Sequence, residues 1–231
     1  GRFQNDSLDN GQAIGLVYLL LGDSNNVTES LLREAESWFR QKGLNLIRAC
    51  NWRPNPYKYI LHGSETYVWG GSVETLNASR RLNYDLQAES VIMICKMDSE
   101  PTVPIPDIPE LRFTDEQQLD HELVFQSRIR AWVGEKEVGH CTYEHLRAIS
   151  AHFGKPMGQI AIGIDEGLYG QGLGSALLLS AHRALYRLGV RQVMLHTVQG
   201  LFRAIRLYEK TGYEHQVIRG YCFEKELNRD G

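Results

Sequence analysis

The stretch Asp165-Glu-Gly-Leu-Tyr-Gly-Gln-Gly-Leu-Gly-Ser175 packs four glycines into eight residues, Gly167 to Gly174, and decides the reading of the chain. It lies between a β-rich apolar run, Gln159 to Ile164, and a helical pattern from Ser175 to Leu188 in which Leu177, Ala181, Ala184, Leu185 and Leu188 share one face. Glycines here let backbone N–H groups come close to a ligand, and the helix start behind them adds the positive end of its dipole, so the ligand that suits them is a phosphate or pyrophosphate. A P-loop needs Lys before the Ser, where this chain has Gly174. A dinucleotide fingerprint needs a third Gly where it has Leu177. A tight turn without any ligand is the alternative.

Working outward, Arg128 to Val133 and Glu137 to Tyr143 read as a hairpin joined through Gly134-Glu135, and Gly189 stops the helix after the loop. Val190 to Val198 reads as a strand, Leu201 to Lys210 as a helix stopped by Gly212, and Gln216 to Glu224 as a last strand. Upstream, Ala13 to Leu21 reads as a buried strand and Glu29 to Lys42 as a helix with Leu31, Leu32, Ala35, Trp38 and Phe39 at apolar positions. Gly43 stops it; a strand from Leu44 to Cys50, an irregular stretch, a short helix at Thr75 to Leu82 and a strand at Ser90 to Lys96 follow. Ser99 to Pro109 holds four of the seven prolines and reads as a linker. The order strand, helix, Gly, strand, loop, short helix, aromatic, strand thus occurs twice, with Gly43 answering Gly189 and Tyr84 answering Tyr213. A duplicated α/β unit accounts for this, with domains at 1–98 and 110–231 around a linker at 99–109.

With 231 residues, one large domain or two small ones are both open. Hydrophobic residues make up 42%, charged residues 23%, and the net charge is −3, evenly spread, so there is no basic footprint for nucleic acid. The longest apolar run, Leu16 to Leu21, is far short of a membrane span. No signal peptide is visible, and the initial Gly points to a trimmed start. Cys50, Cys95, Cys141 and Cys222 form no C-x-x-C pair, which argues against zinc and for a reducing, cytoplasmic setting.

Tyr169-Gly-Gln-Gly-Leu-Gly174 resembles the acyl-CoA loop of the GNAT acetyltransferase superfamily, and Ala204-Ile-Arg-Leu-Tyr-Glu-Lys-Thr-Gly-Tyr213 resembles the helix and turn that carry that family's tyrosine acid. Two positions depart from the pattern: Tyr169 stands where the family has Arg or Gln, and Leu201 where it usually has Asn. The likeness is closest over 158–226, continues over 110–157 and is faintest over 13–98. It implies a tandem GNAT-like α/β (α+β) fold, with a mixed central sheet flanked by helices and a truncated or degenerate N-terminal copy. It also implies transfer of an acetyl group from acetyl-CoA to an amine, borne by a small molecule or a peptide, with no metal, no nucleic acid and no membrane involved. The pyrophosphate would rest on Gln171, Gly172, Leu173, Gly174 and Ser175, next to Tyr169 and Gly170. The pantetheine would pair with the strand edge at Ile162, Gly163 and Ile164, in the manner of an added strand.

Tyr208 would protonate the departing thiolate, a role suited to a phenol with a pKa near 10. Its alternative is a core tyrosine on the face shared with Leu201 and Ala204. For the base, the candidates are Glu166, His140, Glu144, His145 and His196, of which Glu166 is carried forward beside Tyr208 as catalytic; a water relay is a further option. In the first half, Gly22 to Glu29 has one glycine and two acids where the loop would be, and Ser79 stands where Tyr208 would be, so that copy reads as non-catalytic. Its aromatic insert, Trp52, Tyr57, Tyr59, Tyr67 and Trp69, would pack a seam between domains or line an acceptor pocket. A non-catalytic acyl-CoA-binding module is the alternative function. Oligomeric state stays open, a dimer among the options.

Overall fold

In each half of the chain two strands that pair in parallel are joined through a helix. The computed structural model describes residues 2–4, 13–17, 22–49, 68–69 and 73–227. Cys50, Trp52, Tyr57, Tyr59, Tyr67 and the last four residues of the expected strand 13–21 lie outside the described residues. The chain divides into two units, Gly1–Val91 with Val217–Gly231, and Ile92–Gln216. The proline-rich stretch 99–109 falls inside the second and contains neither helix nor strand.

The first unit contains β1 (Arg2–Gln4), β2 (Ala13–Val17), α1 (Asn25–Gln41), β3 (Leu46–Ala49), β4 (Val68–Trp69) and α2 (Val73–Arg81). It also holds the start of β5 (Asp85–Lys96) and most of β11 (Tyr213–Glu226). Its strands run in the order β1-β2-β3-β11, with β4 also on β11. β2 and β3 are parallel and pair at Gly15, Leu16 and Val17. Leu32, Phe39, Leu44, Ile47, Ala78, Leu82 and Phe223 form the core.

The buried face of α1 follows Thr28, Leu32, Glu36 and Phe39, whereas Leu31 and Trp38, expected on that face, are each 43% exposed. Glu36 is tolerated inside because Arg40 and Lys225 pair with its two carboxylate oxygens, at 3.3 and 2.9 Å. Leu32 is fully buried, so Leu32→Ala is expected to lower stability by about 2–5 kcal/mol in a denaturant titration.

The second unit holds the end of β5 with β6 (Leu111–Asp120), β7 (Phe125–Val133), β8 (Lys136–His145), α3 (Arg147–Phe153), β9 (Met157–Ile164), α4 (Leu173–Arg187), β10 (Gln192–Val198) and α5 (Phe202–Lys210). Strand order is β5-β10-β9-β8-β7-β6. α4 lies close over one face of the sheet: a β-carbon at Gly139 would meet Leu177 at 3.1 Å, and one at Gly158 would meet Leu185 at 3.0 Å.

The internal repeat extends to hydrogen bonds. The helix end at Gly43 closes with Leu44 N–H donating to Phe39 O, and the one at Gly189 with Val190 N–H donating to Leu185 O, both at 3.0 Å. At the second helix of each copy, Asn83 donates to Arg80 O and Gly212 to Glu209 O, both at 3.1 Å, which aligns Tyr84 with Tyr213 and Ser79 with Tyr208. Among the described residues no helix is long and apolar enough to cross a membrane.

Candidate functional site

The glycine loop owes its path to two different demands. Gly170 and Gly172 both have φ of +83°, left-handed backbone that a side chain with a β-carbon adopts at a cost. Gly174 is instead required by closeness, since a β-carbon there would lie 2.9 Å from Ile164 Cδ1 and 3.0 Å from Leu207 Cδ2. Gly172 is the residue that begins α4, and because it has no side chain, none caps the helix; its first turn carries no acid either. The leading amides of α4 therefore keep their donor capacity and their positive dipole end.

Ahead of the loop, a single 3-10 turn at Glu166–Leu168 is fixed by Asp165, whose carboxylate accepts from Gly167 N–H at 3.1 Å and from Lys136 Nζ at 2.6 Å. The Lys136 contact, followed by the Gly167 amide, holds that carboxyl below the usual aspartate range. Gln171 donates to Gly167 O at 3.2 Å, and Ser175 is half-buried in the first turn of α4, whose Leu173 is fully buried. Tyr169 is 45% exposed, and the Arg203 guanidinium of α5 sits 5.7 Å from its ring centre. That cation beside the loop was not visible in the sequence, where Arg203 lies 34 positions away.

Beside the loop the sheet forks. β9 pairs with β8 over seven residues, Gly158 to Ile164, but with parallel β10 only at Met157, Gly158 and Gln159. From Ile160 onward its other edge runs without β10, and Ile162, Gly163 and Ile164 lie half-buried along it. That edge offers backbone groups to an extended ligand.

The expected acid and base residues fall in different surroundings. Tyr208 is 7% exposed, its ring edge-on to Tyr213 with centres 5.9 Å apart. Glu166 is exposed in the turn after β9. His140 Nδ1 lies 3.2 Å from Glu137, which also pairs with Arg130 at 2.6 Å. His145 is half-buried, and burial followed by the Arg147 charge lowers its pKa. His196 is half-buried on β10 and has a partner of its own. Glu144 on β8 accepts from the Gln126 amide at 2.5 Å, and burial raises its pKa against the lowering effect of that hydrogen bond. Leu201 begins α5 without a side-chain cap and is 54% exposed. No group of three or more His, Cys, Asp or Glu among the described residues is placed to hold a metal ion.

Under the site, His182 of α4 is 1% exposed and its Nε2 lies 2.6 Å from the Tyr213 hydroxyl. Burial lowers the His182 pKa to about 4 and pushes the Tyr213 phenol well above its ordinary value. The unfolded chain takes up a proton near pH 6.5 that the folded pair refuses down to about pH 4. Stability from this neutral pair is therefore present above the unfolded pKa and is lost progressively, by on the order of 1 kcal/mol per pH unit, as the pH drops through that window. His182→Gln is expected to flatten the slope in denaturant titrations between pH 7 and 5; an unchanged slope would contradict the assignment.

The chain is similar to known acetyltransferases. The family model described as Acetyltransferase (GNAT) family matches residues 92–213. A mycothiol acetyltransferase of Geodermatophilus obscurus is 26% identical over 154 residues, covering 53% of this chain and 50% of that protein. One from Streptosporangium roseum is 40% identical over 63 residues, 27% of this chain and 19% of that protein. The chain thus spans half or less of the length of these curated relatives. Among solved structures, a tandem GNAT protein from the clavulanic acid biosynthesis pathway superposes with a TM-score of 0.68 at 12% identity, covering 96% of this chain and 77% of that one. A GCN5-related N-acetyltransferase from Sphaerobacter thermophilus gives 0.56 at 18% identity, covering 85% and 67%. At such identities these structures speak for the fold alone. The family match over more than half of the chain, on the unit that carries the forked strand and the glycine loop, makes this protein a member of the GNAT acetyltransferase family.

Proposed function

We propose that the second unit binds acetyl-CoA and transfers its acetyl group directly to an amine acceptor. The observation that carries this reading is the conjunction of a helix start left uncapped by Gly172 with a β9 edge that β10 leaves free from Ile160 onward. The α4 amides at Leu173, Gly174 and Ser175 suit a pyrophosphate, with Gln171 and the Tyr169–Arg203 pair beside them. The edge at Ile162 to Ile164 suits the amide-bearing pantetheine arm. In this reading Tyr208 gives its proton to the leaving sulfur, and its burial keeps water from competing.

The first unit is, in the same reading, a copy without the chemistry. There Ser24 caps α1 with its own hydroxyl, accepting from Val27 N–H at 3.4 Å, and Asp23 precedes it. Gly22 to Glu29 carries a single glycine before α1, and Ser79 stands in the place of the phenol.

A second reading, a non-catalytic acyl-CoA-binding module, is favoured by one feature: the apolar, exposed Leu201 at the start of α5, where an Asn would offer hydrogen bonds to the ligand. Thiol release from acetyl-CoA, measured with a panel of amines that includes the acceptor of the mycothiol enzymes, separates the two. Turnover with any acceptor supports transfer, and acetyl-CoA binding without turnover supports the module.

A further inference from the structure

The proton that leaves the acceptor needs a destination close to the fork, and the geometry points to Glu144 of β8 as the group that takes it; this rests on the acetyl-transfer reading above. Glu144 is the register partner of Gln159, the last residue of β9 that still pairs with β10. Directly opposed side chains of this kind have β-carbons about 5 Å apart, so the carboxylate stands at the level where the sheet begins to open. It also projects from the face opposite α4. Residues alternate along β8, and Gly139, whose face α4 covers, is five positions from Glu144, so the carboxyl projects from the face that α4 leaves free.

The neighbours of Glu144 suit a proton acceptor. From β7 it faces Gln126, which donates to it, with Arg128 diagonally placed and bonded instead to Thr142 Oγ1 at 3.0 Å. From β9 it faces Gln159, and beyond that Met194 of β10. Among the described residues no direct ion pair holds the carboxylate in its charged form, and its burial favours the neutral, protonated one. Glu166 is less well placed. It lies seven residues beyond Gln159, about 20 Å along an extended strand, at the phosphate end of the ligand path.

The step balances as follows. Glu144, directly or through one water, takes a proton from the acceptor ammonium and frees the nitrogen lone pair. The nitrogen bonds to the acetyl carbon while the carbon–sulfur bond breaks, and the Tyr208 phenol gives its proton to the sulfur. The proton shed by the new amide nitrogen returns to the phenolate, and the one on Glu144 passes to solvent. The products are the acetylated amine, CoA thiol and one released proton.

Glu144→Gln tests this, because the amide keeps the shape and can still accept from Gln126. With a strongly basic amine as acceptor, kcat/KM is expected to fall by about 100-fold or more, with acetyl-CoA affinity unchanged. With a weakly basic amine, already unprotonated at the assay pH, the loss is expected to shrink to a few-fold, a dependence that a purely structural role would not produce. Gln126→Leu supplies a second readout: without the hydrogen bond that favours the charged form, the acid limb of the kcat/KM profile is expected to move to higher pH. Wild-type turnover undiminished in Glu144→Gln, or a loss independent of acceptor basicity, overturns this assignment alone. Acetyl-CoA binding with no wild-type turnover on any amine overturns the transfer reading as well.

Discussion

Gly172→Asp is expected to leave the protein folded and to weaken acetyl-CoA binding by at least about 100-fold. The backbone at Gly172 is left-handed, a conformation that Asp tolerates better than most residues, at a cost on the order of 1 kcal/mol. Against this, a carboxylate at the residue that begins a helix accepts from the amides two or three positions on, a stabilisation of similar size. The two effects offset each other in stability. They do not offset in binding, because the new carboxylate would occupy the Gly174 and Ser175 amides and repel the pyrophosphate. Losing even one or two charge-assisted hydrogen bonds, each worth about 1.5–3 kcal/mol, accounts for the predicted loss. The first unit has a side-chain cap at the corresponding place, with the Ser24 hydroxyl on the Val27 amide of α1. Calorimetric titration of the variant, with its melting temperature as a control for folding, checks the prediction; an affinity within a few-fold of wild type would sink it.

Tyr208→Phe is expected to lower kcat by about 100-fold or more while acetyl-CoA affinity stays within a few-fold of wild type. The ring would remain packed against Tyr213, so the core is kept and only the phenolic proton is lost. General acid catalysis by a positioned side chain commonly contributes 100-fold or more, here by neutralising the departing thiolate as it forms. If Tyr208 is only a core residue, kcat stays at the wild-type value. A fall in binding and rate together would point to a packing defect instead of a lost proton donor.

Much of the fold is written in local signals. The α4 pattern is legible because Leu177, Ala181 and Leu185 recur at helical spacing, and all three are fully buried. The helix stops at Gly43, Gly189 and Gly212 are equally plain. β6 is not, since most of its ten residues are exposed and its polar run Thr114 to Gln118 lacks a two-residue alternation. It is recognisable only through its pairing with β7. α3 buries no residue and so has no apolar face to read. α1 misleads in another way: two apolar stripes compete on it, and tertiary packing selects the one with Thr28 and Glu36 over the one with Leu31 and Trp38.

The site divides along the same line. Loop glycines signal themselves by type, and their spacing alone marks Gly170 to Gly174 as a candidate for backbone contact with a ligand. The fork cannot be read from sequence, because β9 keeps its strand pattern whether or not β10 stays beside it. Nor can the neighbourhood of Glu144, which depends on a register between strands, or the Arg203 guanidinium that α5 sets beside Tyr169.

The central claim is that one acyl-CoA site exists, on the loop that opens α4, and that its copy at α1 is closed. Calorimetric titration of the full chain with acetyl-CoA tests it most directly. The expected result is one binding event per chain that disappears in Gly172→Asp and persists in Ser24→Gly. Absence of binding, a second site, or a single site that survives Gly172→Asp would contradict it.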